Sequence, residues 1–454
     1  MPHSSLLLPP DYRRHVARDL VAFFHSLGRF GVASNRFDLR ADAYRSFLEN
    51  LLLGSLGFGV AVFAVLCVLV VRRTILHVHL RRRRRSDAAD TTSTELVAVA
   101  LLSVLALSAL GGLLGEAHVK YSASVVLETM TNASDLFHDA RELTQQSSHA
   151  SDALRVTADN LITSFNETEV PAAAFELSIE ALRLVHASKD LWNQSDAMLP
   201  TDFSDMASDW EASYFLLEAS TNGAILAVVL ASFLSIASVG WAMVSPLRLS
   251  ILVILSVVPI SHTLVGAYLS STVMVADFCA APMNSTLELV GATPVASYYI
   301  ECPGNASLPF ADAVASVRET GGKAAAIQQE LERRASRQGD VGRRMKKEFL
   351  DPIGDQLEHV DDLLNEFVAL QACTNTSSAF AYAATTLCEY GMLGFFSMWV
   401  HQLLLCQILV ACVVVSVLVY ERVCAREVCL DDRRYHLVSS YEEDGMEHVY
   451  LSPE

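Results

Sequence analysis

The chain has 454 residues, of which 52% are hydrophobic, and its mean hydropathy is +0.33. Soluble proteins of this length are rarely so apolar, so the composition excludes an ordinary soluble globular protein. The formal net charge of −18 is unevenly placed, because residues 117–221 carry 5 basic and 17 acidic residues, a net of −12. Such an acidic segment favours cations such as calcium over anions, although solubility alone would also explain it.

Five hydrophobic stretches are long enough to cross a hydrocarbon core of about 30 Å. None of them contains Asp, Glu, Lys or Arg, which argues against an ion or proton relay inside the bundle. We therefore predict an all-α membrane protein with five transmembrane helices. The spans are predicted over residues 51–71, 96–115, 224–244, 249–273 and 392–418.

Two long segments separate these spans, over residues 116–223 and 274–391, and both are predicted to be helical. The second contains the clearest amphipathic stripe of the chain, with apolar residues at the spacing of a helix face. That stripe consists of Leu357, Val360, Leu363, Leu364, Phe367 and Val368. The remaining segments are an amino-terminal segment 1–50, a basic loop 72–95, a turn 245–248 and a tail 419–454.

All six Asn-X-Ser/Thr triplets of the chain fall in the two long segments. Chance would give roughly two, scattered anywhere. Because N-glycosylation takes place outside the cytoplasm, both long segments and the amino terminus are predicted to be extracellular, and the carboxyl terminus cytoplasmic, in a plasma-membrane protein. The triplets begin at Asn132, Asn166, Asn193, Asn284, Asn305 and Asn375.

The basic residues of two predicted cytoplasmic loops agree with this topology, whereas those of the amino-terminal segment do not decide its side of the membrane. The loop 72–95 contains the run Arg81–Arg85, and the turn 245–248 contains Arg248, as expected on the cytoplasmic face. The segment 1–50, however, carries seven arginines, so a charge count alone leaves the amino terminus undecided. The position of Arg81–Arg85 beside a span favours a topogenic or anionic-lipid role over nucleic-acid binding.

Four cysteines lie in the segment 274–391, an even number on the predicted oxidising side of the membrane. Four cysteines allow three pairings, and the residues alone do not choose among them. The four are Cys279, Cys302, Cys373 and Cys388.

The same segment contains a basic patch. Outside the cell it could meet anionic lipid headgroups, the acidic segment 116–223 or a partner. A solvated helix face with local ion pairs is the simpler interpretation. The patch consists of Lys323, Arg333, Arg334, Arg337, Arg343, Arg344, Lys346 and Lys347.

No catalytic motif is present: the chain has no Gly-rich phosphate loop, nucleophile elbow or Cys-X-X-Cys pair. Its histidines do not cluster at metal-ligand spacing with cysteine or carboxylate residues. We do not expect an enzyme.

Several motifs resemble the tweety family of five-span membrane proteins. The sharpest is Asp-X-Cys-X-X-Pro at Asp277, Cys279 and Pro282, just past the fourth predicted span. It is followed by Tyr298-Tyr299-Ile300-Glu301-Cys302 and Pro309-Phe310. The segment 1–50 is also similar, through Phe23-Phe24-His25-Ser26-Leu27, Phe37 and Tyr44.

The resemblance implies nested disulfides, Cys279 with Cys388 and Cys302 with Cys373. It also implies a calcium site whose glutamate precedes a glycosylated asparagine by sixteen residues, the spacing of Glu116 and Asn132 here. The family has an aspartate one turn after that glutamate, where this chain reads Ala117-His118-Val119-Lys120. Losing one carboxylate should weaken a site that needs several oxygen ligands.

The resemblance further implies a chloride channel linked to calcium or cell swelling, and we expect a homodimer. An anion pore needs basic or polar rings, and the predicted spans contain no Arg or Lys. A pore would therefore use extracellular basic residues, for which Arg141 and Arg155 are candidates, or a dimer seam. The alternative is a lipid-binding or adhesion protein without a pore, whose partners are membrane lipids.

Overall fold

The structure is a computed structural model that describes residues 10–27, 36–80, 91–165, 171–198, 203–241, 243–291, 293–302 and 309–445. Within these ranges, side chains are not described for residues 10, 74–80, 91–96, 109–114, 171, 203–206, 240, 375 and 421–445. The described residues form helices and contain no strand, which confirms the all-α prediction.

The described part of the chain contains thirteen α-helices. In chain order they are α1 Pro10–Ser26, α2 Asp42–Leu80, α3 Thr91–Ser164, α4 Pro171–Met198, α5 Phe203–Gly240, α6 Val244–Ala280, α7 Pro282–Val290, α8 Pro294–Glu301, α9 Ala311–Ala335, α10 Gly339–Met345, α11 Asp351–Leu370, α12 Cys373–Thr386 and α13 Met392–Gly445. Two π-helical turns, Lys346–Leu350 and Leu387–Gly391, precede α11 and α13.

These helices belong to two compact units. Unit 1 contains the described residues within Met1–Ala123, Ala212–Ala280 and Thr386–Glu454, and unit 2 those within Ser124–Glu211 and Ala281–Thr385.

Four described helices are long and apolar enough to cross a membrane. They are Asp42–Arg73, Ala207–Val239, Val244–Ala280 and Thr376–Tyr420, and each overlaps one predicted span. The span predicted over residues 96–115 lies in α3, but the side chains of residues 109–114 are outside the described part. What is described there is a shorter apolar stretch, Val97–Ser108. The count of five spans therefore stays a prediction.

Helix α6 is the packing centre of unit 1, with α2 and α13 against it. Small residues let α2 and α6 approach closely, as is usual between membrane helices. A Cβ atom on Gly59 of α2 would lie 2.5 Å from His262 Cβ, and one on Gly266 of α6 would lie 2.7 Å from Ser55 Cβ. Neither position has room for a side chain without a shift of its neighbour.

Polar side chains of α2, α5 and α13 form hydrogen bonds to α6. Gln402 Nε2 of α13 donates to Ser261 Oγ of α6 over 2.6 Å, and Ser55 Oγ of α2 donates to the His262 carbonyl over 2.6 Å. The hydroxyls of Thr221 and Tyr268 bond over 2.5 Å, and Ser235 bonds to Ser250. Because an unpaired polar group is costly in hydrocarbon, this pairing stabilises the bundle.

Unit 2 is built on helices whose buried residues repeat every seven positions, which is the pattern of left-handed helix packing. On α3 the buried series is Phe137, Ala140, Thr144, Ser147, Ser151, Leu154, Ala158 and Leu161; on α4 it is Ala174, Leu177, Ala181, Leu184, Ser188, Leu191 and Ser195. The two series meet where Ser151 Oγ lies 2.8 Å from Ser188 Oγ. Helix α9 packs against α4 and against α11.

The amphipathic stripe predicted before the last span lies on α11. Five of its six residues are buried and Val368 is half-buried, so the predicted helix face is confirmed. In α4, by contrast, the seven-residue repeat leaves Phe175 and Leu182 exposed.

The structure contains two disulfides, and they join the pairs that the family resemblance implies. Cys279 at the end of α6 joins Cys388 in unit 1, and Cys302 joins Cys373 in unit 2. They close loops with sequence separations of 109 and 71 residues. Loops of this length restrict the unfolded chain strongly, worth roughly 4–5 kcal/mol each in the chain-entropy account.

Glycine substitutions test the packing of unit 2. A Cβ atom on Gly342 would lie 1.7 Å from the Ala335 carbonyl oxygen, so Gly342→Ala forces α10 away from α9. We expect it to lower the melting temperature of the purified protein. The matched control is Gly322→Ala on α9, whose new methyl group meets nothing within 4 Å. Alanine there should be neutral or add about 0.5–1 kcal/mol. Equal melting temperatures for the two variants would contradict the close approach.

Candidate functional site at the carboxyl end of α6

The conspicuous polar site of unit 1 surrounds Asp277, in the last turn of α6. Its side chain is 0% exposed. Tyr44 Oη of α2 donates to Asp277 Oδ2 over 2.9 Å, and His25 Nδ1 of α1 lies 3.0 Å from Asp277 Oδ1. A buried carboxylate is costly unless it accepts such hydrogen bonds, so Asp277 fixes both helices against α6.

Aromatic rings and a disulfide surround this carboxylate. Phe278 meets Phe37 edge to face at 5.4 Å between centroids, and Phe37 meets Tyr44 at 6.2 Å. Phe24 of α1 is buried and packs edge to face on Trp399 of α13 at 5.7 Å. These contacts exclude water from the carboxylate, which strengthens its hydrogen bonds.

A second attachment of α1 lies beside the disulfide. Glu389 follows Cys388 and accepts from Arg14 Nε over 2.7 Å and from Arg13 Nη2 over 3.4 Å. The Arg13 guanidinium also lies 4.0 Å from the centroid of the Tyr390 ring. Arg13 and Glu389 are both largely buried, so this pair is screened less than a surface pair.

Together these contacts gather the amino-terminal residues and the Asp-X-Cys-X-X-Pro motif into one site. The site acts as a structural tether, because Asp277 and Glu389 are each held by side chains of other helices. Among the residues that the structure describes, no three His, Cys, Asp or Glu residues form a group that could hold a metal ion.

Glu116, the candidate calcium ligand, lies on α3 within unit 1 and is half-exposed. Its Oε1 accepts from Asn222 Nδ2 of α5 over 3.2 Å. The nearby Glu218 is paired with Lys120 over 3.1 Å. Calcium takes six to eight oxygen ligands, and the hydrogen bond of Glu116 to Asn222 does not by itself assemble such a set among the described residues.

The pore candidates Arg141 and Arg155 lie on α3 in unit 2, and carboxylates neutralise both. Arg155 pairs with Asp152 over 3.2 Å and with Asp159 over 3.4 Å on its own helix. Arg141 Nε lies 3.9 Å from Asp196 Oδ1 of α4. Fourteen residues of helix place the two arginines about 21 Å apart, so they do not form one constriction within a chain.

Three of the six sequon asparagines are described with their side chains, and all three are exposed: Asn132, Asn193 and Asn284. Asn166 and Asn305 lie outside the described residues. Asn375 belongs to α12, but its side chain is outside the described part. Exposure makes the three described asparagines accessible to a glycosyltransferase.

The fold and this site define a multi-pass helical membrane protein with two disulfides. The family model for Tweety matches residues 17–436, and the chain belongs to the Tweety family. A comparison with curated proteins finds no match.

Most residues of the tether belong to motifs that resemble the family: Phe24, His25, Phe37, Tyr44 and Asp277. The motifs do not predict the contacts, because nothing in the sequence joins a residue to another more than 200 positions away. The pairing of Arg13 and Arg14 with Glu389 was missed altogether. The only sequence signal for an attachment of the amino-terminal segment was the family motif before the first predicted span.

Removing one hydrogen bond tests the tether. Tyr44→Phe leaves a buried carboxylate with one donor fewer, which should cost about 1–3 kcal/mol and lower the melting temperature. Tyr12→Phe, at a position that is 57% exposed on α1, is the control and should change nothing. Thermal unfolding of the two purified variants, followed by tryptophan fluorescence, makes the comparison. A Tyr44→Phe protein as stable as the control would show that this hydrogen bond is dispensable.

Proposed function

We propose that the chain is a plasma-membrane glycoprotein with five spans, an extracellular amino terminus and a cytoplasmic carboxyl terminus. The six sequons in residues 116–223 and 274–391 support this topology, as does the run Arg81–Arg85. The exposure of Asn132, Asn193 and Asn284 is consistent with glycosylation.

This topology has a direct test in cells. Asn132→Gln, Asn193→Gln and Asn284→Gln should each remove one glycan, seen as a faster-migrating band that matches partial enzymatic deglycosylation. Asn222→Gln, outside any sequon, should leave the migration unchanged. Unchanged migration of all three sequon variants would contradict an extracellular position for both segments.

For the activity, we infer a lipid-binding membrane protein without a pore inside the single chain. The observation that carries this inference is that polar side chains of α2, α5, α6 and α13 hydrogen-bond to side chains or backbone of a neighbouring helix. A water-filled anion path needs polar groups that face the path rather than one another. The apolar stretches of these spans also contain no Arg or Lys.

Exposed apolar surface supports the same inference. On α2, Phe58, Val65 and Val68 are each at least 60% exposed. On α5, Phe215 and Leu216 are each 65% exposed, although they precede the predicted span 224–244. Acyl chains would cover such side chains, and the α5 pair extends this lipid-contacting surface beyond the hydrophobic stretch.

Lipid retention can be measured by native mass spectrometry of the purified protein. We expect bound phospholipid on the wild type and less on Phe215→Ser/Leu216→Ser. The matched control is Phe175→Ser/Leu182→Ser, which changes two exposed apolar residues of α4 in unit 2. Equal lipid loss in both variants, or none in either, would count against a lipid site on α5.

Anion conduction is the second candidate, favoured by membership of the Tweety family. It would require a seam between two copies, in keeping with the homodimer we expect, or release of Arg141 and Arg155 from their carboxylates. Calcium dependence would then involve Glu116.

Chloride flux in liposomes that contain only this protein, with and without calcium, distinguishes the two candidates. We expect no flux above that of empty liposomes. Flux that falls in Arg141→Gln or Arg155→Gln, but not in Arg183→Gln on α4, would instead establish a pore with its entrance in unit 2. Glycosylation and disulfides are checked first, so that an absence of flux reports on a folded protein.

A further inference from the structure

A strongly basic surface lies at the end of α9. The proposed function does not use it. From Arg333 to Lys347 the chain has seven basic residues and one acidic residue. We call this stretch the basic tip. All seven basic side chains are exposed: Arg333, Arg334, Arg337, Arg343, Arg344, Lys346 and Lys347.

The backbone brings the two halves of the basic tip together. Helix α9 ends at Ala335, and Gly342 of α10 packs directly on the Ala335 carbonyl, where any Cβ atom would collide. Ala335, Met345 and Leu331 are buried beneath this contact. The arginines of the last turn of α9 and the cations after Gly342 therefore belong to one rigid surface.

The π-helical turn Lys346–Leu350 presents further charge. Lys346, Lys347 and Glu348 are exposed in succession, whereas Phe349 is half-buried and Leu350 is buried. A π-helical turn adds a residue to the helical repeat and is frequent at functional sites. Both lysines of this turn are exposed and follow Arg343 and Arg344 directly in the chain after Met345.

Local carboxylates neutralise only part of this charge. Glu330 pairs with Arg333 and Arg334, Asp340 with Arg343, and Glu348 with Arg344. The hydrogen bond from Arg334 lowers the pKa of the Glu330 carboxyl. Arg337, Lys346 and Lys347 form no side-chain hydrogen bond or ion pair with any residue that the structure describes.

The acidity of the rest of the chain does not cancel this surface. At physiological ionic strength, charges separated by more than about 8 Å in solvent are largely screened. The electrostatic interaction of an anion with the basic tip therefore depends on the local excess of cations, and the net charge of −18 of the whole chain contributes little.

We propose that the basic tip binds a sulfated polysaccharide chain. Sulfate groups accept paired hydrogen bonds from guanidinium groups, and a linear polymer can span cations on both sides of the Gly342 contact. Insertion into a bilayer fits less well, because Val341 is the only large apolar side chain exposed between Arg333 and Lys347. Access from outside the cell rests on the proposed topology, whereas binding by the purified protein does not.

The test measures binding of the purified, glycosylated full-length protein to a heparin oligosaccharide. Arg337→Gln/Lys346→Gln/Lys347→Gln should weaken binding by about tenfold or more and flatten its dependence on salt, since fewer counterions are released. The matched control, Lys189→Gln/Arg318→Gln/Lys323→Gln, removes the same charge from exposed positions elsewhere in unit 2 and should bind like the wild type. A hyaluronan oligosaccharide of equal length, which has carboxylates and no sulfate, should bind weakly.

Equal loss in the two triple variants would overturn the proposal, and so would equal affinity for hyaluronan or binding only to phosphatidylserine vesicles. Lysine acetylation of the wild-type protein gives a readout without mutation: heparin should protect Lys346 and Lys347 but not Lys189. Heparin that binds the purified protein but not intact expressing cells would support the site and contradict the topology instead.

Discussion

A carboxylate that is removed from water must be hydrogen-bonded, and the arrangement of unit 1 around Asp277 follows from this constraint. Two of its hydrogen-bond partners are Tyr44 and His25, on separate helices that precede Asp277 by more than 200 residues. Because both must reach the same side chain, the start of α2 and the end of α1 are fixed at the carboxyl end of α6. The neighbouring disulfide and the Arg13–Glu389 pair attach α13 to the same place.

Within the membrane-spanning helices, uncharged polar side chains must also be hydrogen-bonded when they are removed from water. Serine, threonine, glutamine and tyrosine side chains find partners on neighbouring helices, while glycines at close approaches leave space only for backbone. Polar atoms engaged in this way stabilise helix packing and contribute little to a hydrated path. The charged groups of unit 2 behave similarly, since carboxylates lie beside Arg141 and Arg155. Packing and charge pairing thus favour contact with lipid over conduction by one chain.

Sequence predicted what depends on local pattern. Hydropathy placed four described spans, and helical spacing identified the buried face of α11, because each signal lies within about twenty residues. The predicted spans do not give the helix ends: α6 continues to Ala280, past the end of the predicted span at residue 273, and thereby carries Asp277 into its site. Contacts between helices that are distant in the chain could not be predicted from the sequence. The Glu116–Asn222 hydrogen bond and the Arg141–Asp196 pair depend on how helices meet, and the disulfide pairing came from family resemblance.

The disulfide between Cys279 and Cys388 has a consequence for proteolysis of the chain. All of the chain from residue 281 to residue 385, including α9, α10 and α11, leaves and returns through this one covalent junction. A protease that cuts a single exposed peptide bond there would nick the chain without shedding a fragment, because both new ends remain attached to the membrane-spanning part. Release of a fragment would need two cuts, because after one cut each part of the chain still carries its own apolar helices. Cleavage could therefore alter this segment while the molecule keeps its apparent mass on a non-reducing gel.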